Sequence, residues 1–207
     1  MSKTLPTPGF STAVKEGFLT GNGLLSSGVI IAPAVIAATD FSTAACLAMV
    51  FTLVTYITVA LCSFVPRTLV YTVRIIIYTF VASLVYVPVS ILLENIMPNS
   101  LIAVGIYAPL LITNSFITSR TELKFYRYGK KYMLVLAAFY VLGYDIALIA
   151  FGTVRGILIN GNFLGIELLK YPITSLSTAF GGFIFLALSS ALYRSIIRWI
   201  VRREDNR

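Results

Sequence analysis

Apolar residues run along the chain in six long blocks, and short polar or charged stretches separate the blocks. About 20 apolar residues cross a bilayer as a helix, so each block is close to the length of one transmembrane helix. The blocks are 22–39, 43–64, 75–97, 99–118, 132–154 and 173–197. The pattern therefore predicts an all-α polytopic membrane protein with six transmembrane helices.

The composition agrees with this prediction and excludes a water-soluble enzyme. Of the 207 residues, 58% are hydrophobic and 12% are charged, whereas an ordinary soluble domain has about 25% charged residues. The chain has no histidine, which excludes histidine-based metal or acid–base chemistry within it. Its two cysteines, Cys46 and Cys62, are sixteen residues apart in one block. That spacing is about 24 Å along a helix, too far for a disulfide or a shared metal.

The basic residues predict the orientation of the helices. If the N-terminus lies in the cytoplasm, fourteen of the sixteen basic residues fall on the cytoplasmic side, and only Arg155 and Lys170 lie opposite. An excess of Lys and Arg in cytoplasmic loops is typical of membrane proteins, so both termini are expected inside. The basic loop 120–131 is either a topology signal beside anionic lipid or a docking surface for a cytoplasmic partner.

Two short strings recur in the two halves of the chain. Ala-Pro at 32–33 recurs at 108–109, an offset of 76, and Thr-Val-Arg at 72–74 recurs at 153–155, an offset of 81. Their common order suggests duplication of a three-helix unit, and an odd number of helices inverts the second copy. The predicted organisation comprises a cytoplasmic N-terminal segment, two inverted three-helix repeats and a cytoplasmic tail, over residues 1–21, 22–98, 99–200 and 201–207.

Proline and polar residues inside the blocks indicate where a site would form. Pro33 and Pro109 predict that the first helix of each repeat is broken, which marks either a midplane site or a simple kink. The candidate midplane residues are Thr113, Asn114, Ser115 and Asp145. Asp145 is a carboxyl near the middle of the fifth block. It is either part of an ion or proton relay with Asn114 and Tyr144 or a silent carboxyl hydrogen-bonded inside the bundle.

Three stretches of the chain carry a family resemblance. GIYAPLLITNSFITSRTE (105–122), TVRIIIYTFVASLV (72–85) and FGTVRGILINGNFLG (151–165) resemble the small six-helix subunits of the sodium-pumping NADH:quinone reductase (Nqr) and of the Rnf electron-transport complex. The NqrD/RnfE branch looks most similar, and the likeness covers about 22–200. The resemblance implies two inverted three-helix repeats in a bacterial or archaeal cytoplasmic membrane.

In that family, two such subunits supply cysteines from their broken helices to an intramembrane [2Fe–2S] cluster. Ala32 and Ser115 occupy the two positions at which the family has cysteine. Alanine has no ligating atom, and serine is a poor substitute for thiolate. The resemblance therefore does not imply that this chain binds its share of the usual cluster. Arg120 and Glu122 match the family's Arg-x-Glu motif, and Arg155 matches a later arginine whose usual following Glu is here Gly156.

The resemblance implies a non-catalytic subunit that helps to route electrons across the membrane, with ion translocation as a coupled activity. The expected partners are a homologous six-helix subunit, flavin-bearing subunits and the lipid bilayer, but no nucleic acid. Flavin is expected in the partners, and no cofactor is assigned to this chain alone. The alternative is a paralogue without the cluster that acts as an ion or solute transporter or as an assembly scaffold.

Overall fold

The structure is a computed structural model, and it describes residues 18, 22–25, 28, 30–66, 68–111, 121, 128–163, 166–167 and 169–205. The described part is helical apart from one small hairpin. The helices are α1 Ile31–Ile36, α2 Phe41–Cys62, α3 Tyr71–Ile96, α4 Ser100–Val104, α5 Tyr107–Leu110, α6 Lys130–Asn160 and α7 Ala179–Asp205. Strands β1 Asn162–Phe163 and β2 Ile166–Glu167 pair antiparallel, and a 3₁₀ turn covers Thr174–Ser177.

Four of the predicted transmembrane helices are confirmed. The helices α2, α3, α6 and α7 cover the second, third, fifth and sixth apolar blocks, and each is long and apolar enough to cross a membrane. The first and fourth blocks contain only short helices in the described residues, namely α1, α4 and α5. The described part of the chain therefore has four long spans, and the six-helix inverted repeat remains a prediction. A short helical segment followed by two long helices nevertheless occurs twice in chain order.

The prolines do not break the helices in the way that the sequence predicts. Pro33 and Pro109 are each the third residue of a helix, α1 and α5 respectively. A helix leaves its first N–H groups without intrahelical partners, so a proline there removes no hydrogen bond. Among the described residues, an interruption lies directly before each of these helices. Gly28, Ile30 and Gly105 have positive φ angles of 61°, 61° and 59°, a conformation that ends a regular helix.

The second repeated string does not mark equivalent positions. Arg74 lies in the first turn of α3, near its N-terminus, whereas Arg155 lies near the C-terminal end of α6. In the order short segment, long helix, long helix, α3 corresponds to α7 and α6 corresponds to α2. The Thr-Val-Arg match therefore does not support the repeat. The Ala-Pro match still supports it, because the two pairs lie in the short helices α1 and α5.

The helices α2 and α6 form the centre of the bundle, and α3 and α7 lie at its edge. In the most apolar window of each helix, 61% and 56% of the residues of α2 and α6 are buried, against 22% of α3 and 17% of α7. Large apolar side chains such as Ile76, Phe80 and Leu188 are exposed on the outer helices. In a membrane this exposed surface contacts lipid or another subunit.

Two glycines allow α6 to pack closely against the start of α2. A Cβ atom at Gly152 would lie 3.0 Å from the carbonyl oxygen of Asp40 and on top of the Ala44 side chain. A Cβ atom at Gly156 would lie 2.9 Å from the Cα atom of Asp40. The two residues form a Gly-x-x-x-Gly motif, in which small residues let helix backbones approach in a membrane. Asp40 is the N-cap residue of α2, and its carboxylate accepts a hydrogen bond from the Thr43 backbone N–H at 2.8 Å.

Candidate functional site

The irregular segment before α2 is held by side chains of the long helices α6 and α7. Asn22 donates to the carbonyl oxygen of Gly143 at 2.8 Å, and its own side-chain oxygen accepts from the N–H groups of Leu24 and Leu25. Ser190 donates to the Leu25 carbonyl oxygen at 2.7 Å. Non-helical backbone at membrane depth is stable only where protein or water satisfies its polar groups. These contacts are what makes an interrupted helix possible here.

The same segment is anchored further along by α6. The Tyr144 hydroxyl donates to the Ile30 carbonyl oxygen at 3.3 Å, directly before α1. The Tyr144 ring packs against Phe51 of α2 with 4.2 Å between ring centroids. Tyr144 is fully buried, so it fixes the start of α1 from the interior of the bundle.

Arg155 holds the other end of α1. Its side chain is completely buried, and it donates to the carbonyl oxygens of Val35 and Ala38 at the C-terminal end of α1. It also donates to three carbonyl oxygens at the end of the 3₁₀ turn, those of Leu176, Ser177 and Thr178. Every acceptor that the described residues give it is a backbone carbonyl. A cation at the C-terminal end of a helix satisfies the last carbonyls and interacts favourably with the helix dipole.

Gly182 of α7 makes room for this guanidinium. A Cβ atom there would lie 2.8 Å from the Arg155 Nη2 atom and 2.9 Å from the Val35 carbonyl oxygen. Arg155 thus joins α1, α6 and α7 at one point, with the 3₁₀ turn closing over it. This arrangement positions the backbone of α1, and no substrate or cofactor is needed to account for it.

The helix α1 carries Ala32, which the resemblance predicts at the position of one of the family's cluster cysteines. Ala32 is half-buried, and α1 packs against α5, which carries the matching Ala-Pro pair. The two cysteines of the chain lie elsewhere: Cys46 and Cys62 are both fully buried in α2. Ala32 offers no donor atom, and the described residues contain no group of three or more side chains that could hold a metal. The residues present do not fit a thiolate-ligated cluster.

Asp145 lies at the middle of α6 and contacts α2. Its Oδ2 atom accepts a hydrogen bond from the Thr52 hydroxyl, and its Oδ1 atom is buried without a partner among the described residues. The side chain is 7% exposed. Both residues line a cleft of about 410 Å³ between α2 and α6. Tyr144, which the sequence predicts in a relay with Asp145, donates to Ile30 instead.

Five predicted site residues lie outside the described residues: Thr113, Asn114, Ser115, Arg120 and Glu122. Most of the basic loop 120–131 lies outside them as well. The structure therefore places Ala32, Asp145 and Arg155 and leaves the rest of the predicted site as a prediction. Ala32 and Arg155 both belong to the α1 region, whereas Asp145 lies about 15 Å from Arg155 along α6.

Sequence reasoning missed three residues that shape the site. Asn22 was visible only as a polar interruption of the first block, and Thr52 is one of several threonines in a mostly apolar helix. Gly156 was visible only as a departure from the family's Glu. The Gly-x-x-x-Gly spacing of Gly152 and Gly156 was the available signal, because it places both glycines on one helix face.

A bundle of long apolar helices whose interrupted segments are satisfied from within defines a multi-pass α-helical membrane protein. A model of the family described as Rnf-Nqr subunit, membrane protein, matches residues 10–190. The chain belongs to this family, whose subunits function in multi-subunit complexes within the membrane. No curated protein matches the chain significantly in a sequence comparison.

Proposed function

We propose that this protein is an integral-membrane subunit of an Rnf/Nqr-type electron-transport complex, in which it helps to route electrons across the membrane between flavin-bearing subunits. The observation that carries the proposal is the interrupted helix at 22–38. Side chains of α6 and α7 hold it at Leu25, Ile30, Val35 and Ala38, and Tyr193 of α7 donates to the Phe18 carbonyl oxygen before it. In transporters built from inverted repeats, interrupted helices form the binding site, and this likeness is the support that the segment gives the proposal.

The proposed arrangement is a pair of homologous six-helix subunits with α1 and α5 at their common face. Ala32 is half-buried on α1, so a partner subunit packed there would cover it. Because this chain offers no thiolate at Ala32, it acts in the pair as a scaffold, and any electron carrier is held by ligands from the partners. Ion translocation coupled to electron transfer belongs to the same proposal.

The orientation is proposed from the positive-inside distribution, with both termini in the cytoplasm of a bacterial or archaeal cell. The inverted repeat is proposed from the Ala-Pro match and from the recurring order of a short segment and two long helices. It pairs α2 with α6 and α3 with α7. The first pair is central and the second is peripheral, as a pseudo-two-fold axis requires.

Purification of the tagged native protein in a mild detergent tests the proposal. The co-purified proteins are identified by mass spectrometry, and flavin and iron are assayed on the same sample. A homologous six-helix partner with flavoproteins and bound flavin is the expected result. A colourless and iron-free protein recovered alone contradicts membership in a redox complex.

Two observations favour a second function, transport of an ion or solute. Ala32 stands where the resemblance implies a cluster cysteine, and Asp145 lines a cleft between α2 and α6. In this alternative the chain is a paralogue without the cluster that transports an ion or solute, or that serves as an assembly scaffold. A carboxyl at the middle of a membrane helix is a functional feature in many transporters. Uptake of a labelled ion into vesicles that contain this chain alone would favour it over the redox complex.

A further inference from the structure

The side chain of Asp145 is a carboxyl at the middle of a 31-residue helix, and it receives one hydrogen bond from the described residues. Its Oδ1 atom has no partner there although it is buried. An ionised carboxylate accepts hydrogen bonds at about four sites, so an ionised Asp145 would be left largely unsatisfied. A protonated carboxyl carries no charge and needs fewer hydrogen-bond partners than a carboxylate does.

Among the described residues around Asp145, the Thr52 hydroxyl is the one group that favours the charged form of the carboxyl. No Lys or Arg among the described residues lines the cleft, whose walls are apolar apart from Asp145 and Thr52. They include Ala48 on α2 and Leu142 on α6. The adjacent residue Tyr144 is titratable, and its hydroxyl donates to the Ile30 carbonyl oxygen. A hard metal cation in a protein takes about six oxygen ligands, whereas the cleft offers one carboxyl and one hydroxyl.

The polar character of α2 continues beyond Thr52. Thr55 and Thr58 follow at three-residue spacing, which makes each a neighbour of the next along the helix surface. Their hydroxyl groups are buried and find no hydrogen-bond partner in the described part of the chain. Hydroxyl groups both donate and accept, so they can pass a proton as well as orient a carboxyl.

We propose that Asp145 and Thr52 form a proton-binding site at the middle of the membrane, which opens sideways from the bundle into the cleft between α2 and α6. Thr52 orients the carboxyl through Oδ2, and the proton is carried on Oδ1. The described residues that form the site lie on α2 and α6 of this chain, so the test of the site does not require the partners of the proposed complex. It names the proton as the ion that this chain handles.

Labelling with dicyclohexylcarbodiimide, an apolar reagent that reacts with protonated carboxyls, tests the site in native membranes. The membranes are treated at neutral pH, the protein is purified, and tryptic peptides are mapped by mass spectrometry. Cleavage after Lys131 and Arg155 releases a peptide in which Asp145 has the only side-chain carboxyl. An adduct on this peptide, lost as the pH is raised, is the expected result. Absence of the adduct at every pH overturns the proposal.

Matched variants make the result specific. Asp145→Asn removes the adduct, whereas Glu94→Gln, the same change at an exposed carboxyl near the end of α3, leaves it unchanged. Thr52→Val removes the hydrogen bond that favours the ionised form, so labelling persists to higher pH than in the wild type. An unchanged pH profile in Thr52→Val contradicts the paired site even if Asp145 reacts.

The coupling ion is distinguished by repeating the labelling at one pH in sodium chloride and in choline chloride. Equal labelling in the two salts is expected of a proton site. Suppression by sodium alone would overturn the proposal, because the metal cation would then occupy the carboxyl. These labelling results can be interpreted even if no partner subunit is recovered. The proton site and the proposed complex can therefore be contradicted separately.

Discussion

Arg155 shows how a single buried charge can serve structure. It is fully buried and donates to five carbonyl oxygens on two separate segments. A guanidinium presents five N–H donors in a fixed planar fork, whereas an ammonium is a compact point charge. Only the fork can reach both the end of α1 and the end of the 3₁₀ turn from one helix position.

We predict that Arg155→Met and Arg155→Lys both destabilise the protein, and Arg155→Met more. Methionine leaves five carbonyls without their donor, and the hydrogen bonds to Val35 and Ala38 are buried, so the free energy of unfolding falls by on the order of 3 kcal/mol. Lysine keeps the charge and some of the hydrogen bonds, so its effect is intermediate. Melting in detergent is followed with a thiol-reactive fluorescent maleimide, since Cys46 and Cys62 are both 0% exposed in the fold.

Arg198→Lys is the control for these variants, because Arg198 is exposed on α7. Its melting temperature should equal that of the wild type. If Arg155→Lys melted with the wild type as well, the fork geometry would not matter, and Arg155 would act through charge alone.

At the scale of helices, the crossing of α6 and α2 depends on the absence of side chains. Gly152 and Gly156 lie against Asp40 and Ala44, where α2 begins. The resemblance implies a glutamate at position 156, where this chain has glycine. In this packing, any side chain at position 156 meets the backbone of Asp40.

We predict that Gly156→Ala destabilises the bundle and that Gly156→Glu, which restores the family residue, prevents its assembly. The alanine Cβ atom would lie 2.9 Å from the Asp40 Cα atom, and such overpacking costs about 1–3 kcal/mol of unfolding free energy. Gly129→Ala is the matched control, because nothing lies within 4 Å of a Cβ atom there. Melting temperatures and membrane yields are compared, and equal values for the two alanine variants would contradict the close packing.

The prediction of helices from sequence succeeded where apolar length was the signal. The four long helices follow from runs that must span about 30 Å of hydrocarbon. The breaks were predicted at Pro33 and Pro109 but lie at Gly28, Ile30 and Gly105. The sequence shows where a proline could interrupt a helix. Whether the proline interrupts it depends on its position, because a proline in the first turn is compatible with the helix.

The candidate site was less predictable because its contacts join distant parts of the chain. Arg155 and Val35 are 120 residues apart, and Asp145 and Thr52 are 93 apart. The family resemblance singled out Arg155, and hydropathy singled out Asp145, but neither indicated Val35 or Thr52 as the partner. Helix periodicity describes one element at a time, whereas partners depend on how elements cross.

At the scale of the whole molecule, the long central helix α6 allows the orientation to be tested directly. Its 31 residues span about 46 Å, more than the hydrocarbon core. Lys130 at its start and Lys170 beyond its end are both exposed, and the positive-inside distribution predicts them on opposite sides. The native cysteines are buried in α2, so cysteines introduced at these two positions would be the ones labelled in the folded protein.

We predict that Lys170→Cys reacts with a membrane-impermeant maleimide in intact cells and that Lys130→Cys reacts only in inverted vesicles. The reason is that fourteen of sixteen basic residues then lie in the cytoplasm, where they are favoured by the anionic lipid surface. Wild-type protein is the control and should stay unlabelled in both preparations. The reverse pattern would place both termini outside, and the basic loop 120–131 could then not contact a cytoplasmic partner. Labelling of both variants from the same side would mean that α6 does not span the membrane.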